Sequence, residues 1–145
     1  MRLILGIGIL VLVGIVIAVG VLASNSTQTE GKNVVFHITL ADSKLYMDGV
    51  YSKIFQVKKG IYMFHFVPNG DSPEMLGITL DGENFHFFEN FILRGTLHES
   101  EISEFFTWEY EGKSKVEFIE DIELEIIIDP YENLMGPVSV ELIMK

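Results

Sequence analysis

The chain contains no cysteine. Disulfides, thiolate catalysis, zinc–thiolate sites, iron–sulfur clusters and blue-copper sites, all of which need a cysteine sulfur, are therefore excluded. The sequence also has no phosphate-binding loop, no dinucleotide fingerprint and no serine elbow of the Gly-x-Ser-x-Gly type. Because these signatures of enzymes are missing, we expect no catalytic residue and no cofactor, and we interpret the chain as a non-enzyme.

Basic residues are scarce: the chain has 10 lysines and arginines against 21 aspartates and glutamates. Only Arg2 precedes residue 24, so nine basic and 21 acidic residues give the rest of the chain a formal charge of −12. Nucleic acid is not an expected partner, because binding it requires a basic face that neutralises phosphates. Cations and basic protein surfaces are the partners that this charge favours.

Residues 3–23 form a long apolar run without a charged or polar side chain. At about 1.5 Å per residue, a helix of this length spans roughly 31 Å, which matches a hydrocarbon core of about 30 Å. We therefore predict a single-pass transmembrane anchor over residues 1–23. Arg2 places its N-terminus in the cytoplasm and the remainder of the chain outside it. The alternative is a signal peptide that is cleaved before Ser24.

Small residues punctuate the predicted anchor and the segment that follows it. Gly14 and Ala18 lie four positions apart, a spacing that lets a second membrane helix approach closely. Residues 24–33 are small and polar, as is typical of a flexible linker. This linker contains Asn25-Ser26-Thr27, an N-glycosylation acceptor pattern on the predicted outer side of the membrane. Residues 34–145 then form the predicted extracytoplasmic domain.

Alternating apolar and polar residues recur through this domain, between turn signals such as Asp48-Gly49 and Asp81-Gly82. Strands are predicted over residues 33–40, 50–57, 61–67, 75–80, 85–88, 91–97, 104–110, 113–120, 122–129 and 138–144. Residues 98–105 also fit a short helical turn. The even spacing of turns predicts an all-β fold, namely an antiparallel β-sandwich that is jelly-roll-like.

Residues 55–64, FQVKKGIYMF, resemble a hairpin of small jelly-roll modules, in which a strand, a basic turn and the pattern Gly-x-Tyr-x-Phe follow one another. Two such families are the pre-peptidase C-terminal domains and the GOLD domains of cargo-adaptor membrane proteins. Residues 136–142, GPVSVEL, are similar to the last strand of these modules. GOLD adaptors carry their anchor at the C-terminus and contain cysteines, unlike this chain. The resemblance implies a jelly-roll-like fold and a non-enzymatic binding module.

The histidines are candidate metal ligands. His37, His65 and His86 fall on predicted strands, and no two histidines have the local spacing of a metal-binding pair. If these three met on one sheet face, their imidazoles would bind copper or zinc, with Met63 or Met47 as a further ligand. The alternative is that the histidines are scattered over the domain.

The acidic residues are candidate ligands for calcium and candidate catalytic groups of a hydrolase. Oxygen ligands suitable for calcium occur in three loop groups: Asn69/Asp71/Glu74, Asp81/Glu83 and Asp129/Glu132/Asn133. None has EF-hand spacing, and ordinary loop acids are the alternative. A hydrolase would need two carboxylates brought together by the fold. Asp121, Glu123 and Glu125 alternate with apolar residues, as is typical of a solvated strand face.

Aromatic residues are frequent near the middle of the domain. Phe106, Trp108 and Tyr110 alternate on one predicted strand, and four phenylalanines precede them: Phe85, Phe87, Phe88 and Phe91. We expect these rings to pack between two sheets, whereas an exposed row would indicate protein or sugar binding. The combined interpretation is a membrane-anchored protein-interaction module, an accessory subunit of a larger membrane or envelope complex. A copper- or zinc-binding domain and a small hydrolase are the alternatives.

Overall fold

Residues 33–145 are described by a computed structural model, and their regular structure is almost entirely β. The strands are β1 (Asn33–Leu40), β2 (Tyr51–Val57), β3 (Gly60–Pro68), β4 (Met75–Gly82), β5 (Phe85–Glu99), β6 (Glu104–Glu111), β7 (Lys115–Phe118), β8 (Ile122–Asp129) and β9 (Val138–Met144). One turn of 3-10 helix, Ser43–Leu45, follows β1, and the Asp42 side chain caps it by accepting the N–H of Lys44.

The predicted anchor, linker and modification site lie outside the described residues. This applies to residues 1–32, which include Gly14, Ala18 and Asn25. Within residues 33–145, no helix is long and apolar enough to cross a membrane.

The strands form two antiparallel sheets. The first has the order β1-β9-β3-β7, and the second has the order β2-β8-β4-β5-β6. Strands β4, β5 and β6 follow one another within the second sheet, whereas most other connections pass from one sheet to the other. Aromatic side chains join the two layers: the Phe64 ring of β3 lies 5.9 Å from Phe87 and 5.8 Å from Phe91, both on β5. The predicted all-β sandwich is confirmed.

The core consists of the inward-facing side chains of both sheets. Fully buried members include Tyr62, Val140 and Leu142 of the first sheet, and Leu76, Ile78, Leu80, Leu124, Ile126 and Ile128 of the second. On β8 the acidic residues occupy the opposite face from Leu124 and Ile126, as the alternation predicts. Burial of each such side chain contributes about 1.5–3 kcal/mol, so this layer is the main source of stability.

Strand β5 is one 15-residue strand, whereas the sequence predicts two shorter ones. The predicted break arises because Glu89 occupies the same side of the strand as Phe87 and Phe91. Its carboxylate accepts the N–H groups of Asn90 at 3.0 Å and of Lys113 at 2.7 Å. A charged residue is tolerated at this inward position because it hydrogen-bonds the turn after β6.

One predicted turn is present in the structure, and one predicted hairpin is not. Asp48 and Gly49 both have positive φ, 53° and 86°, and the flanking Met47 and Val50 exchange hydrogen bonds of 2.8 and 3.1 Å. This is the predicted hairpin-type turn. Residues 55–64 do not form a hairpin, because β2 belongs to the second sheet and β3 to the first. Their basic turn is a crossing between the sheets.

Candidate interaction surface

His37 and His65 lie on the outward face of the first sheet, on either side of Glu141. His65 is directly opposite Glu141 in the β3–β9 register, and its Nδ1 is 3.2 Å from Glu141 Oε1. The Nδ1 of His37, on β1, is 3.8 Å from Oε2 of the same carboxylate. The Glu141 side chain is only 14% exposed, whereas both histidines are about half exposed. The Glu141 carboxylate is thus within hydrogen-bond distance of His65 and lies beside His37 at a longer distance.

His86 does not join them, because it lies on β5 of the other sheet. The condition for a three-histidine site, that all three meet on one sheet face, is therefore not fulfilled by His86. Its Nδ1 instead lies 2.5 Å from Oδ1 of Asp81, the residue opposite it on β4. Among residues 33–145, no group of three or more histidines, aspartates or glutamates is arranged to hold a metal ion.

Three of the candidate calcium ligands in the loops accept hydrogen bonds from the backbone. Asn69 and Asp129 each accept the N–H of the residue two positions ahead at 2.8 Å, and Asn133 accepts the N–H of Gly136 at 2.9 Å. Such bonds are the usual way in which Asn and Asp stabilise turns. These side chains therefore have a structural role in the loops.

Asp121 and Glu123 line an open depression at the ends of β2 and β8. Oδ1 of Asp121 accepts the N–H of Lys59 at 2.8 Å, which holds the crossing between β2 and β3 in place. The depression is lined by only six residues and is open to solvent. The two acids are therefore at a solvated edge and not in an enclosed site of the kind a hydrolase needs.

The most unusual feature is a two-stranded arm formed by β5 and β6. Strand β4 accompanies β5 only as far as Ile92, but β5 continues to Glu99 and pairs there with β6 alone. We call residues 94–109 the arm. Its tip, residues 100–103, is closed by a hydrogen bond from the N–H of Ser100 to the carbonyl of Ser103, 2.8 Å long. Two-stranded hairpins are marginally stable in water, so this arm depends on its side-chain contacts.

Apolar side chains occupy both faces of the arm. On the face that continues the core, Leu97 is opposite Phe106, and they are 44% and 53% exposed. On the other face, Phe105 is 54% exposed and stacks on His98 with ring centroids 5.0 Å apart. Ile102 at the tip is 95% exposed. A cluster of this kind on a soluble surface usually marks an interaction site.

Trp108, the single tryptophan of the chain, holds the base of the arm. It lies opposite Gly95, and a Cβ added at Gly95 would lie 2.7 Å from its indole. The other part of the indole lies close to Gly70 in the loop after β3. Two residues further on, the Tyr110 ring packs 5.1 Å from Phe66, and its hydroxyl donates to the carbonyl of Pro73 at 2.6 Å. The arm is thus rigidly attached at its base and exposed beyond it.

Among the strands of residues 33–145, β6 also forms one edge of the second sheet. Exposed edges are commonly protected by lysine, proline or short length. Strand β7, at an edge of the first sheet, has four residues and begins with Lys115. Strand β6 has eight residues, contains neither lysine nor proline, and carries three glutamates: Glu104, Glu109 and Glu111. Its free edge is therefore long and acidic.

The alternating pattern predicts only part of this surface. The prediction that the aromatic residues pack between the sheets is correct for Phe87, Phe91 and Tyr110 but wrong for Phe88 and Phe106, which are 52% and 53% exposed. Alternation shows which side of a strand is apolar, but it does not show whether another sheet covers that side. The length of the segment is the feature that indicates the arm. If residues 85–97 are taken as one strand without a break at residues 89–90, that strand is much longer than the usual length of about 5–6 residues.

Comparisons of the chain with protein-family models, with the curated proteins and with solved structures found no match.

Proposed function

We propose that the chain is a membrane-anchored, extracytoplasmic interaction module whose β-sandwich presents the arm to another membrane or envelope protein. The observation that carries this proposal is the exposure of Leu97, Phe105 and Phe106 on a hairpin that leaves the sandwich. Aromatic residues are enriched at the centres of protein interfaces, and their burial contributes about 25 cal/mol per Å² of apolar surface. A partner that covers the arm would supply the packing that its side chains lack.

The apolar run of residues 3–23 supports the membrane part of the proposal. It is long enough to span a bilayer, and Arg2 orients it with the domain outside the cytoplasm. Gly14 and Ala18 would give a partner helix a close approach. An anchor and an arm on one chain would reinforce each other through effective concentration, as is expected of an accessory subunit.

The strand order supports the idea of a jelly-roll-like binding module. Two facing sheets ordered β1-β9-β3-β7 and β2-β8-β4-β5 have the arrangement of an eight-stranded jelly roll, and β6 is then an additional edge strand. The resemblance of residues 136–142 to the last strand of small jelly-roll modules agrees with this assignment, whereas residues 55–64 cross between the sheets and do not form the hairpin of those modules. On this view β6 is the part of the domain that was added to a common scaffold, and it carries the exposed arm.

Co-purification from native membranes tests the proposed function. The full-length chain would be isolated in mild detergent as the wild type, as the double variant Leu97→Ser/Phe106→Ser, and as the control Ile54→Ser. Ile54 is 61% exposed on β2, at the opposite edge of the same sheet. We expect a stoichiometric membrane partner, identified by mass spectrometry, with the wild type and the control but not with the arm variant. The same yield of partner from all three would contradict the proposal.

Metal binding and hydrolysis receive less support. His37 and His65 converge on Glu141, but His86 lies on the other sheet, so the predicted three-histidine site is incomplete. Metal analysis of the purified full-length chain tests this alternative directly. Stoichiometric copper or zinc that is lost in a His65→Ala variant would favour it over the interaction module.

A further inference from the structure

The free edge of β6 has main-chain groups that point away from the sheet. The N–H of Ser100 donates to the carbonyl of Ser103, so these two residues form a hydrogen-bonded pair of the β5–β6 ladder. Along an antiparallel ladder, hydrogen-bonded pairs of residues alternate with pairs that are not hydrogen-bonded. The N–H of Leu93, opposite Tyr110, agrees with this alternation because it donates away from β6, to Glu74. The residues of β6 that direct their N–H and C=O groups outward are therefore Glu104, Phe106, Trp108 and Tyr110.

Side chains along the same edge differ between its two faces. Phe106 lies on the face that continues the core, together with the indole of Trp108, and their centroids are 5.6 Å apart. The other face carries Glu109 and Glu111, and the nearby Arg94 is engaged by Glu111 at 3.0 Å. Nearer the tip the two faces are mixed, because Phe105 lies on the face of Glu109, and Glu104 lies on the face of Phe106. A strand laid beside residues 106–111 would thus meet aromatic rings on one side and carboxylates on the other, with a period of two residues.

We propose that the outer edge of β6 accepts an extended segment of the partner as an additional strand, and that this segment alternates aliphatic with basic residues. The inference rests on the proposed function, and it names the chemistry of the partner. Main-chain hydrogen bonds would supply affinity, as in other cases of β-strand addition, and the alternating side chains would supply specificity. A second copy of this chain fits less well, because its own β6 would place glutamates beside Glu109 and Glu111.

The single tryptophan makes the test direct. The full-length chain in detergent would be titrated with a ten-residue peptide of alternating lysine and valine, and the fluorescence of Trp108 would be recorded. The matched probe has the same sequence but carries an N-methyl group on every residue, which removes the main-chain donors of both strand edges and leaves the charges unchanged. We expect a saturable change with the first peptide and at least tenfold weaker binding of the second. Equal binding of the two peptides would overturn strand addition.

A charge exchange tests the basic character of the segment. Glu109→Lys should weaken binding of the lysine peptide by about fivefold, the size expected for an opposite-charge cross-strand pair. It should also improve binding of a glutamate–valine peptide. Glu117→Lys, an exposed position on β7 of the first sheet, changes the net charge equally and should leave both affinities unchanged. Equal effects of the two variants would show that only the overall charge matters.

Two further outcomes separate this inference from the proposed function. If neither peptide binds but the arm variant still loses its partner from membranes, strand addition is wrong and the interaction module stands. If the chain self-associates in sedimentation without peptide, and Glu109→Lys changes that association, the edge binds a second copy and the proposed partner chemistry is wrong.

Discussion

The indole of Trp108 packs against Gly95, the residue directly opposite it on the neighbouring strand. Glycine leaves the backbone of β5 bare at this point, and the aromatic ring of β6 covers it, an arrangement that compensates for glycine in a sheet. Because the same indole also lies close to Gly70, Trp108 connects the base of the arm to the loop after β3, as Tyr110 does through its hydrogen bond to Pro73.

Gly95→Ala should loosen this attachment. The added Cβ would lie 2.7 Å from the indole, so Trp108 must move, and overpacking of this kind typically costs about 1–3 kcal/mol. We expect a lower free energy of unfolding and a shifted emission maximum of Trp108. Thr96→Ala, on the exposed face of the next position, is the control. Unchanged emission of the Gly95 variant would show that the indole does not need this space.

Two tyrosines should respond in opposite ways to loss of the hydroxyl. The hydroxyl of Tyr46 is buried and has no hydrogen-bond partner among residues 33–145. Tyr46→Phe should therefore raise the free energy of unfolding by about 1 kcal/mol. Tyr110→Phe should lower it by about 1 kcal/mol, because it removes the 2.6 Å bond to Pro73. Denaturant unfolding of both variants checks the pair, and a loss of stability in both would indicate that Tyr46 does have a partner.

Because of the same two tyrosines, we expect the free energy of unfolding to decrease at alkaline pH. Burial raises the pKa of Tyr46 to about 12, and burial, followed by the neighbouring Tyr46, raises the pKa of Tyr110 above its usual value. The unfolded chain loses these protons near pH 10, while the folded chain retains them. The contribution of the protonated tyrosines to the free energy of unfolding is thus fully present below about pH 10 and is lost as the pH rises toward about 12. Tyr46→Phe should make the free energy of unfolding fall less steeply over this range. An unchanged slope would contradict the assignment.

Glu132→Gly should stabilise the loop after β8. Tyr131 and Glu132 both have left-handed backbone conformations, with φ of 50° and 75°. This conformation costs a non-glycine residue about 1–2 kcal/mol, partly offset by the greater freedom of glycine when unfolded. We expect a net gain of about 0.5–1 kcal/mol in thermal or denaturant unfolding. Glu123→Gly, within β8, should be destabilising, and a similar loss at both positions would show that Glu132 is not strained.

The local structure of this domain could be predicted well. The bounds of β1, β8 and β9 agree with the predicted strands because each is an apolar-rich segment, alternating over part of its length, that ends at turn residues. The helical alternative for residues 98–105 is wrong, since this segment closes the β5–β6 hairpin. The predicted break in β5 is wrong because the inward carboxylate of Glu89 accepts a hydrogen bond from the N–H of Lys113, in a turn that is distant in the sequence.

The candidate site could not be predicted, because it depends on which strands become neighbours. His65 and Glu141 lie 76 positions apart but are directly opposite in the first sheet, while His86 is excluded by its sheet. Phe106 has the same alternating pattern as Tyr110, which is partly buried against the core, yet Phe106 is 53% exposed.

The sequence by itself determined the acidic charge, the apolar N-terminal run, the absence of cysteine chemistry and the positions of most strands, because these depend on composition and on periods of a few residues. Only the tertiary structure decided which histidine meets Glu141, which aromatic rings are covered, and that β5 and β6 extend beyond the sandwich as an arm. These features depend on contacts between residues that are far apart in the chain, and strand periodicity carries no information about such pairings.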